Sequence, residues 1–206
     1  MCGISGFVNN NLNQDDQIRI INNMNNSLKH RGPDFQDYWI DPNNKICLGH
    51  TRLSILDLST AGNQPMRSEN DRYIICYNGE TYNHLEIRKL VEKKSYTPLV
   101  WKGTSDTETI LKSIQVFGFE KTLDLIRGMF SLILFDRKEN TFYAAIDRFG
   151  EKPFYFGNVN NTFVFASELK AIKQYDKFNN EIDVNSVDDY MRYSCIRAPR
   201  TIYKKI

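Results

Sequence analysis

Apolar positions alternate between a strand-like and a helical period along the chain. Cys2 to Val8 is a short, apolar, glycine-containing run and predicts a strand at the very start. Asn13 to Lys29 carries Ile21, Met24 and Leu28 at helical spacing and predicts the first helix. Lys45 to Leu53 and Arg72 to Tyr77 are β-branched and aromatic enough to predict two further strands. Two helices follow with start signals. Asn83 has Glu86 three residues later and Ser105 has Glu108 three residues later, the capping-box pattern that satisfies orphan amide donors. Behind the second start, Ile110, Leu111, Ile114 and Phe117 form one apolar face.

From Met129 onward the pattern turns to strands over Phe130 to Phe135, Thr141 to Ile146, Pro153 to Phe156 and Thr162 to Ala166. These runs are apolar on both alternating faces, and such a strand must be covered on both sides. The expected layout is therefore α+β, with stacked sheets inside and helices outside. Glu168 to Lys173 and Val184 to Tyr193 predict short closing helices. Asn runs at 9–11, 22–26, 43–44 and 160–161 are mostly turn material. Ile196 to Ile206, with Pro199 followed by three Lys or Arg residues, reads as a connector rather than a finished terminus.

With 206 residues, 41% apolar and 25% charged, the chain has material for one large domain or two small ones, which excludes disorder and fibre. A net charge of +2 lacks the concentrated positive field of a nucleic-acid binder. No run approaches the roughly 18–20 apolar residues that span a bilayer, and no signal-peptide pattern opens the chain. A soluble, cytoplasmic protein with no membrane and no nucleic-acid partner is expected. The four cysteines have no paired spacing and there are three histidines, so neither a disulfide framework nor a metal site is expected.

One cysteine is unusually placed. A thiol attacks as thiolate, and its ordinary pKa of about 8.5 calls for a nearby base. An N-terminal amine, with a pKa of about 7.7–8.0, can be that base. Removal of Met1 would free the amine of Cys2 beside its own thiol, with no histidine required. An amide-cleaving thiolate also needs donors for a developing oxyanion. Tyr77, Asn78, Gly79 and Glu80 offer an amide donor, a close backbone approach and a negative charge for an ammonium. Taken alone, Cys2 is first of all a packing residue, and an Asn-Gly pair after a strand is first of all a hairpin signal.

The opening Met1, Cys2, Gly3, Ile4, Ser5, Gly6, Phe7 resembles a class II glutamine amidotransferase, an N-terminal-nucleophile glutaminase. Arg31 to Asp34, Gly49 to Ile55, Asn63 to Met66, Tyr77 to Asn83 and Ser105 to Glu108 resemble the glutaminase half of glutamine-hydrolysing asparagine synthetases in particular. Gly128 to Phe130 and Asp147 to Pro153 fit the same pattern, so the resemblance runs in order through the whole chain. It implies an N-terminal-nucleophile αββα sandwich of two stacked antiparallel sheets flanked by helices. Residues 1–193 would be the glutaminase domain, and residues 194–206 the start of a connector to a C-terminal synthetase domain.

The implied chemistry is attack of Cys2 on the side-chain amide of L-glutamine, release of ammonia, and hydrolysis of a thioester to glutamate. By the same resemblance Asn78 and Gly79 form the oxyanion hole, and Arg52 holds the α-carboxylate by a bidentate pair that lysine does not reproduce. Glu80 and Asp106 take the α-ammonium, and main-chain groups of Leu53, Ser54, Ile55 and Leu56 line the pocket. ATP and magnesium belong to the synthetase domain, so no cofactor is expected here. The ammonia acceptor would be aspartate, placing the domain in asparagine biosynthesis, or another carboxylate. The resemblance leaves room for a homodimer paired through this half.

Blander roles stand beside these. Arg52 suits a surface ion pair, and Asp106 suits a first-turn acid at a helix N-terminus. Arg31 to Asp34 suits scaffold, and Asp147 to Pro153 a structural turn or docking surface. Cys47, Cys76 and Cys195 suit incidental thiols, and His30, His50 and His84 structural polar groups. Thr81 departs from the family, which commonly has an apolar residue there. Two other functions remain open: a catalytically silent glutamine-binding or docking module, and an N-terminal-nucleophile amidase for another amide.

Overall fold

The computed structural model describes residues 1–8, 12–41, 43, 46–95, 98–176 and 178–206. The predicted Asn turn at 9–11, Asn44, and the first residue of the predicted 45–53 strand, Lys45, lie outside these.

Nine strands, six α-helices and a 3-10 turn over Thr60–Gly62 form among the described residues. In chain order they are β1 (Gly3–Val8), α1 (Gln14–Ser27), β2 (Phe35–Ile40), β3 (Ile46–Arg52), β4 (Met66–Arg67) and β5 (Tyr73–Thr81). Next come α2 (His84–Lys94), α3 (Asp106–Phe117), α4 (Phe119–Leu125), β6 (Gly128–Asp136) and β7 (Thr141–Ile146). β8 (Tyr155–Val159), β9 (Thr162–Ala166), α5 (Leu169–Ile172) and α6 (Val184–Tyr193) complete the set. One sheet has the order β2-β3-β1-β9-β8 and the other β4-β5-β6-β7, and their ladders are antiparallel.

Period-two alternation divides the side chains into three apolar layers. Ile4, Leu48, Ile74, Cys76 and Ile133 meet between the sheets. Phe7, Cys47 and Val164 face outward from the first sheet onto Ile20, Ile21 and Met24 of α1, Leu28 just after it, and Ile172 of α5. Ile75, Tyr77, Leu132 and Leu134 face outward from the second sheet onto Ile87 and Val91 of α2 and Ile110 and Ile114 of α3. This is the expected helix-sheet-sheet-helix sandwich, and each sheet is covered on both faces because its central strands are apolar on both.

Local departures have physical causes. The strand expected to end at Tyr77 continues to Thr81, so Asn78-Gly79 lies inside β5 rather than in a hairpin turn. Asn83 makes no capping bond to α2; its amide donates to Leu125 O at 2.9 Å and its carbonyl oxygen accepts from Arg127 N at 2.9 Å, tying α2 to the β6 approach. Ser105 does cap α3, accepting from Glu108 N at 3.2 Å. The Glu108 carboxylate does not close the box; it accepts from Lys102 N and Gly103 N instead. The short α4, not foreseen, begins where Gly118 breaks α3 at φ +85°, a conformation that favours glycine. The strands β2 and β4 were likewise unforeseen, both lying at sheet edges.

The last residues fold back on the domain. Asp183 N donates to Ile202 O, Lys204 N to Glu181 O and Asn158 N to Lys205 O, each at 3.0 Å. Arg197 and Arg200 each donate to the Asp189 carboxylate at 3.0 Å.

Candidate functional site

The space between the sheets becomes polar toward one end. Running outward from Ile4, Leu48 and Cys76, the inward positions of the strands become His50 on β3, Asn78 on β5 and Ser131 on β6, all buried. Cys2 and Arg52 open from this layer into a cavity of about 170 Å³. Its wall includes Leu53, Ile55 and Leu56, the β5 residues Asn78, Gly79 and Glu80, and Asp106 at the start of α3. Sequence positions more than 100 residues apart are thus brought together around one sulfur.

Cys2 is held through its backbone and its neighbours. Its carbonyl accepts from Arg31 Nε at 2.9 Å, and Arg31 Nη1 in turn donates to Glu168 at 2.9 Å. Ser167 locks β1 from the other side, its hydroxyl accepting from Ile4 N at 2.9 Å while its N–H donates to Ile4 O at 2.8 Å. The thiol lies 3.4 Å from Leu53 N and 3.6 Å from Leu53 O. Burial pushes the Cys2 thiol above its ordinary pKa, and Asp106 adds to this. The Leu53 backbone, the terminal ammonium and Arg52 pull the other way. Such a thiol needs a base before it can attack.

Donors line up along one edge of β5. Tyr77 N donates to Gln64 Oε1 at 2.6 Å and Thr81 N to Asp106 Oδ2 at 2.9 Å. Alternation places the Gly79 N–H on this same edge, between the two and facing the cavity. A Cβ on Gly79 would stand 2.3 Å from Met129 O, so glycine is required here by the neighbouring strand β6. The Asn78 Nδ2 is buried with no hydrogen-bond partner, which is costly unless something that visits the cavity accepts from it. Thr81, the family departure, is buried and its hydroxyl bonds the Tyr77 hydroxyl at 2.8 Å, so the polar substitution is satisfied locally.

The cavity's charges are separated. Arg52 is 6% exposed, so the surface ion-pair role is overturned. It donates through Nη1 to Ser59 O and Asn63 Oδ1, both at 2.7 Å, and through Nη2 to Asp57 O. Three of its five N–H groups thereby fix the loop from 53 to 63, and two remain. A Cβ on Gly62 would sit 2.2 Å from Arg52 Nη2, so glycine lets this loop close on the guanidinium. Asp57, though burial opposes it, is held down to about 2 by its bonds from Ser59 and from Thr104 N, with Arg52 adding to the effect. Across the cavity, burial raises the Asp106 carboxyl, against its bonds from Thr81 N and the helix start and the charge of His84. A buried carboxylate of this kind is completed by a cation.

One sequence expectation is adjusted, and the structural role expected of His50 is seen in detail. Ser54 does not line the cavity; its N–H donates to Asp34 Oδ2 at 2.7 Å and turns the residue away, while Leu53, Ile55 and Leu56 do line it. His50 is buried, its Nε2 3.1 Å from Tyr77 O; burial, with some help from Arg52 and against the Tyr77 bond, lowers its pKa to about 4. Sequence reasoning missed Gln64, which joins Tyr77 to Thr107, and Lys152, which reaches the cavity from the 147–153 turn. The Asn63 to Met66 segment was the available signal for the first; the second had none beyond its place in a distinctive turn.

Residues 1–206 match the protein family described as "Glutamine amidotransferase domain". The chain is 35% identical to asparagine synthetase [glutamine-hydrolyzing] 1 of Bacillus subtilis, over 98% of this chain and 31% of that protein. It is 33% identical to asparagine synthetase [glutamine-hydrolyzing] 3 of the same bacterium, over 100% of this chain and 33% of that protein. The chain spans about a third of the length of these curated relatives. A solved structure of the glutamine phosphoribosylpyrophosphate amidotransferase of B. subtilis, complexed with ADP and GMP, is similar in fold at a TM-score of 0.65. The identity is 21%, covering 84% of this chain and 43% of that one. No helix among the described residues is long and apolar enough to cross a membrane.

Proposed function

The chain belongs to the glutamine amidotransferase domain family, and from that premise we propose that it hydrolyses the side-chain amide of L-glutamine through Cys2. The observation that carries this reading is the buried, unpartnered Asn78 Nδ2 in the layer that opens on the Cys2 thiol. A donor kept without a partner at rest is available to charge that develops during the reaction.

Excision of Met1 frees the amine of Cys2, which takes the thiol proton directly or through water. The thiolate adds to the γ-carbonyl carbon, and the carbonyl oxygen becomes an oxyanion held by Asn78 Nδ2 and Gly79 N–H. Collapse expels ammonia, with the amine returning the proton to the leaving nitrogen, and leaves a γ-glutamyl thioester on Cys2. Water, deprotonated by the same amine, cleaves the thioester and releases glutamate.

Binding follows the separation of charge. The two uncommitted N–H groups of Arg52 take the α-carboxylate, while Asp106 and Glu80 take the α-ammonium. Leu53, Ile55 and Leu56 cover the methylene stem. The ammonia would pass to an ATP- and magnesium-dependent synthetase-like domain outside these residues, with aspartate the leading acceptor. This reading is supported by the names of the relatives and by the share of their length that the chain leaves uncovered.

The test is the intact mass of the chain before and after incubation with an electrophilic glutamine analogue, with Cys2→Ala as control. Loss of Met1 and a single adduct that requires Cys2 are expected. A matured chain that takes no adduct at high analogue concentration refutes the mechanism and favours a silent glutamine-binding or docking module. Adduct formation that survives Arg52→Ala and Glu80→Ala together would point to an amidase for another amide.

A further inference from the structure

Lys152 has no role in the mechanism above, yet in the chain that carries Met1 it is buried in the wall of the cavity on which that mechanism is built. The residue is 6% exposed, it lines the cavity that holds Cys2, and it makes no ion pair among the described residues. Its Nζ lies 3.3 Å from Met1 Sδ, a weak acceptor. A buried ammonium without a carboxylate partner is expensive, so a fold that builds one has an electrostatic use for it.

The placement is built by the 147–153 turn. The buried carboxylate of Asp147 accepts from Phe130 N at 3.1 Å, Phe149 N at 3.0 Å, Glu151 N at 3.0 Å and Lys152 N at 3.3 Å. Asp147 N donates to Phe130 O at 2.8 Å, and Gly150 at φ +66° lets the chain reverse. One carboxylate therefore ties the turn to β6 and sets the Lys152 side chain toward the chain terminus. This is more than the structural turn or docking surface suggested by sequence.

We propose that Lys152 is an electrostatic positioning residue for the base: its charge, set in the wall of the cavity that holds Cys2 and against the residue whose excision frees the Cys2 amine, disfavours a second cation there and keeps that amine in its neutral, proton-accepting form. The proposal rests on the reading that this amine is the base. In the unprocessed chain burial lowers the basicity of the Met1 amine, Arg31 and Lys152 lower it further, and the Cys2 thiol and Asp34 oppose them; excision moves the amine one residue along, to Cys2, which lines the same cavity as Lys152. The other ionisable groups of the cavity wall are Arg52, Asp57, Glu80 and Asp106. Arg31 is already compensated, since it pairs with Glu168, and Arg52 has spent three donors on its loop. Lys152 Nζ, by contrast, has neither a carboxylate nor an oxygen acceptor within hydrogen-bond distance among the described residues.

The experiment titrates the terminal amine directly, by competitive trace acylation across pH with the N-terminal peptide quantified by mass spectrometry. It compares the matured protein with Lys152→Met and Lys152→Arg. The Met variant is expected to move the amine midpoint up by about half a unit or more, with Arg restoring it. The acid limb of glutaminase kcat/KM should move by the same amount. A Met variant whose midpoint stays within about 0.1 unit of wild type overturns the proposal, as does an Arg variant that shifts as far as Met. Lys152→Gln replaces the Met variant if circular dichroism shows that the latter is unfolded. An unmoved midpoint in protein that still forms the Cys2 adduct counts against Lys152 alone. A moved midpoint with no adduct counts against the glutaminase reading alone.

Discussion

Asn78→Ala separates the two things a buried polar group can do, because stability and activity are expected to respond very differently. The Asn78 Nδ2 has no partner in the folded chain, so truncation breaks no hydrogen bond made by that atom. An unsatisfied buried donor costs about 1–3 kcal/mol, and its removal returns that sum. Against this stands the packing lost when a side chain 1% exposed is cut back to a methyl, which in a polar, cavity-adjacent position is of similar size. The net change is expected to fall within about 1 kcal/mol of zero, a Tm change of no more than about 2–4 °C for a domain of this length. Loss of one oxyanion donor costs roughly 10²–10³ in kcat, about 2.7–4 kcal/mol of transition-state stabilisation. KM is expected to change little, because the donor acts on charge absent from the ground state. Calorimetry with glutamate release kinetics measures both. A variant destabilised by more than about 3 kcal/mol with kcat within threefold of wild type would refute the reasoning, since the amide would then be a structural tether.

Three further outcomes follow from the charged and titrating groups. His50 takes up a proton at about 4 in the folded chain but near 6.5 when unfolded, so stability is present above pH 6.5 and is lost as pH falls toward 4. His50→Gln should flatten the pH dependence of the denaturation midpoint in that window, and NMR should find the imidazole neutral at pH 5. The Glu168 carboxyl is opposed by burial but held down to about 2 by Arg31, His30 and Lys170, so its contribution is lost between about pH 4.5 and 2. Glu168→Gln is expected to cost about 1–3 kcal/mol by denaturant titration and to lower kcat more than it changes KM, because Arg31 then holds the Cys2 carbonyl less firmly. Asp106→Asn keeps an acceptor for Thr81 N but loses the charge offered to a cation, and is expected to raise KM for glutamine about tenfold or more with a smaller effect on kcat.

The layers of the fold were legible because they depend on alternation alone: Ile4 against Phe7, Ile74 against Ile75, Ile133 against Leu132. What failed was local punctuation overruled by distant partners. Asn78-Gly79 has the propensity of a turn, but β6 on one side and Gln64 and Asp106 on the other supply ladder-like bonds that keep it extended. Asn83 has the composition of a cap, but Leu125 and Arg127 take both ends of its amide. The candidate pocket residues were named by family resemblance, and the fold gathers all but Ser54 into one wall. Lys152 was illegible because its reach depends on one carboxylate collecting backbone N–H groups from a turn and from β6.

The position of the site follows from how the two sheets are filled. A sandwich stabilised by apolar inner faces accommodates polar residues between its sheets only near an end, where water or a ligand can complete them. Here β3, β5 and β6 turn polar at the same end through His50, Asn78 and Ser131, and Cys2 stands just before β1. Three of these carry a buried polar atom with no partner: His50 Nδ1, Asn78 Nδ2 and Ser131 Oγ. A fold selected for stability alone would replace such groups with the aliphatic residues that fill the rest of the layer. Their concentration at the end that holds the Cys2 thiol marks this end of the sandwich as the candidate site. It also implies that apolar residues of matching volume in this layer, unlike the truncation Asn78→Ala, stabilise the domain at the expense of turnover.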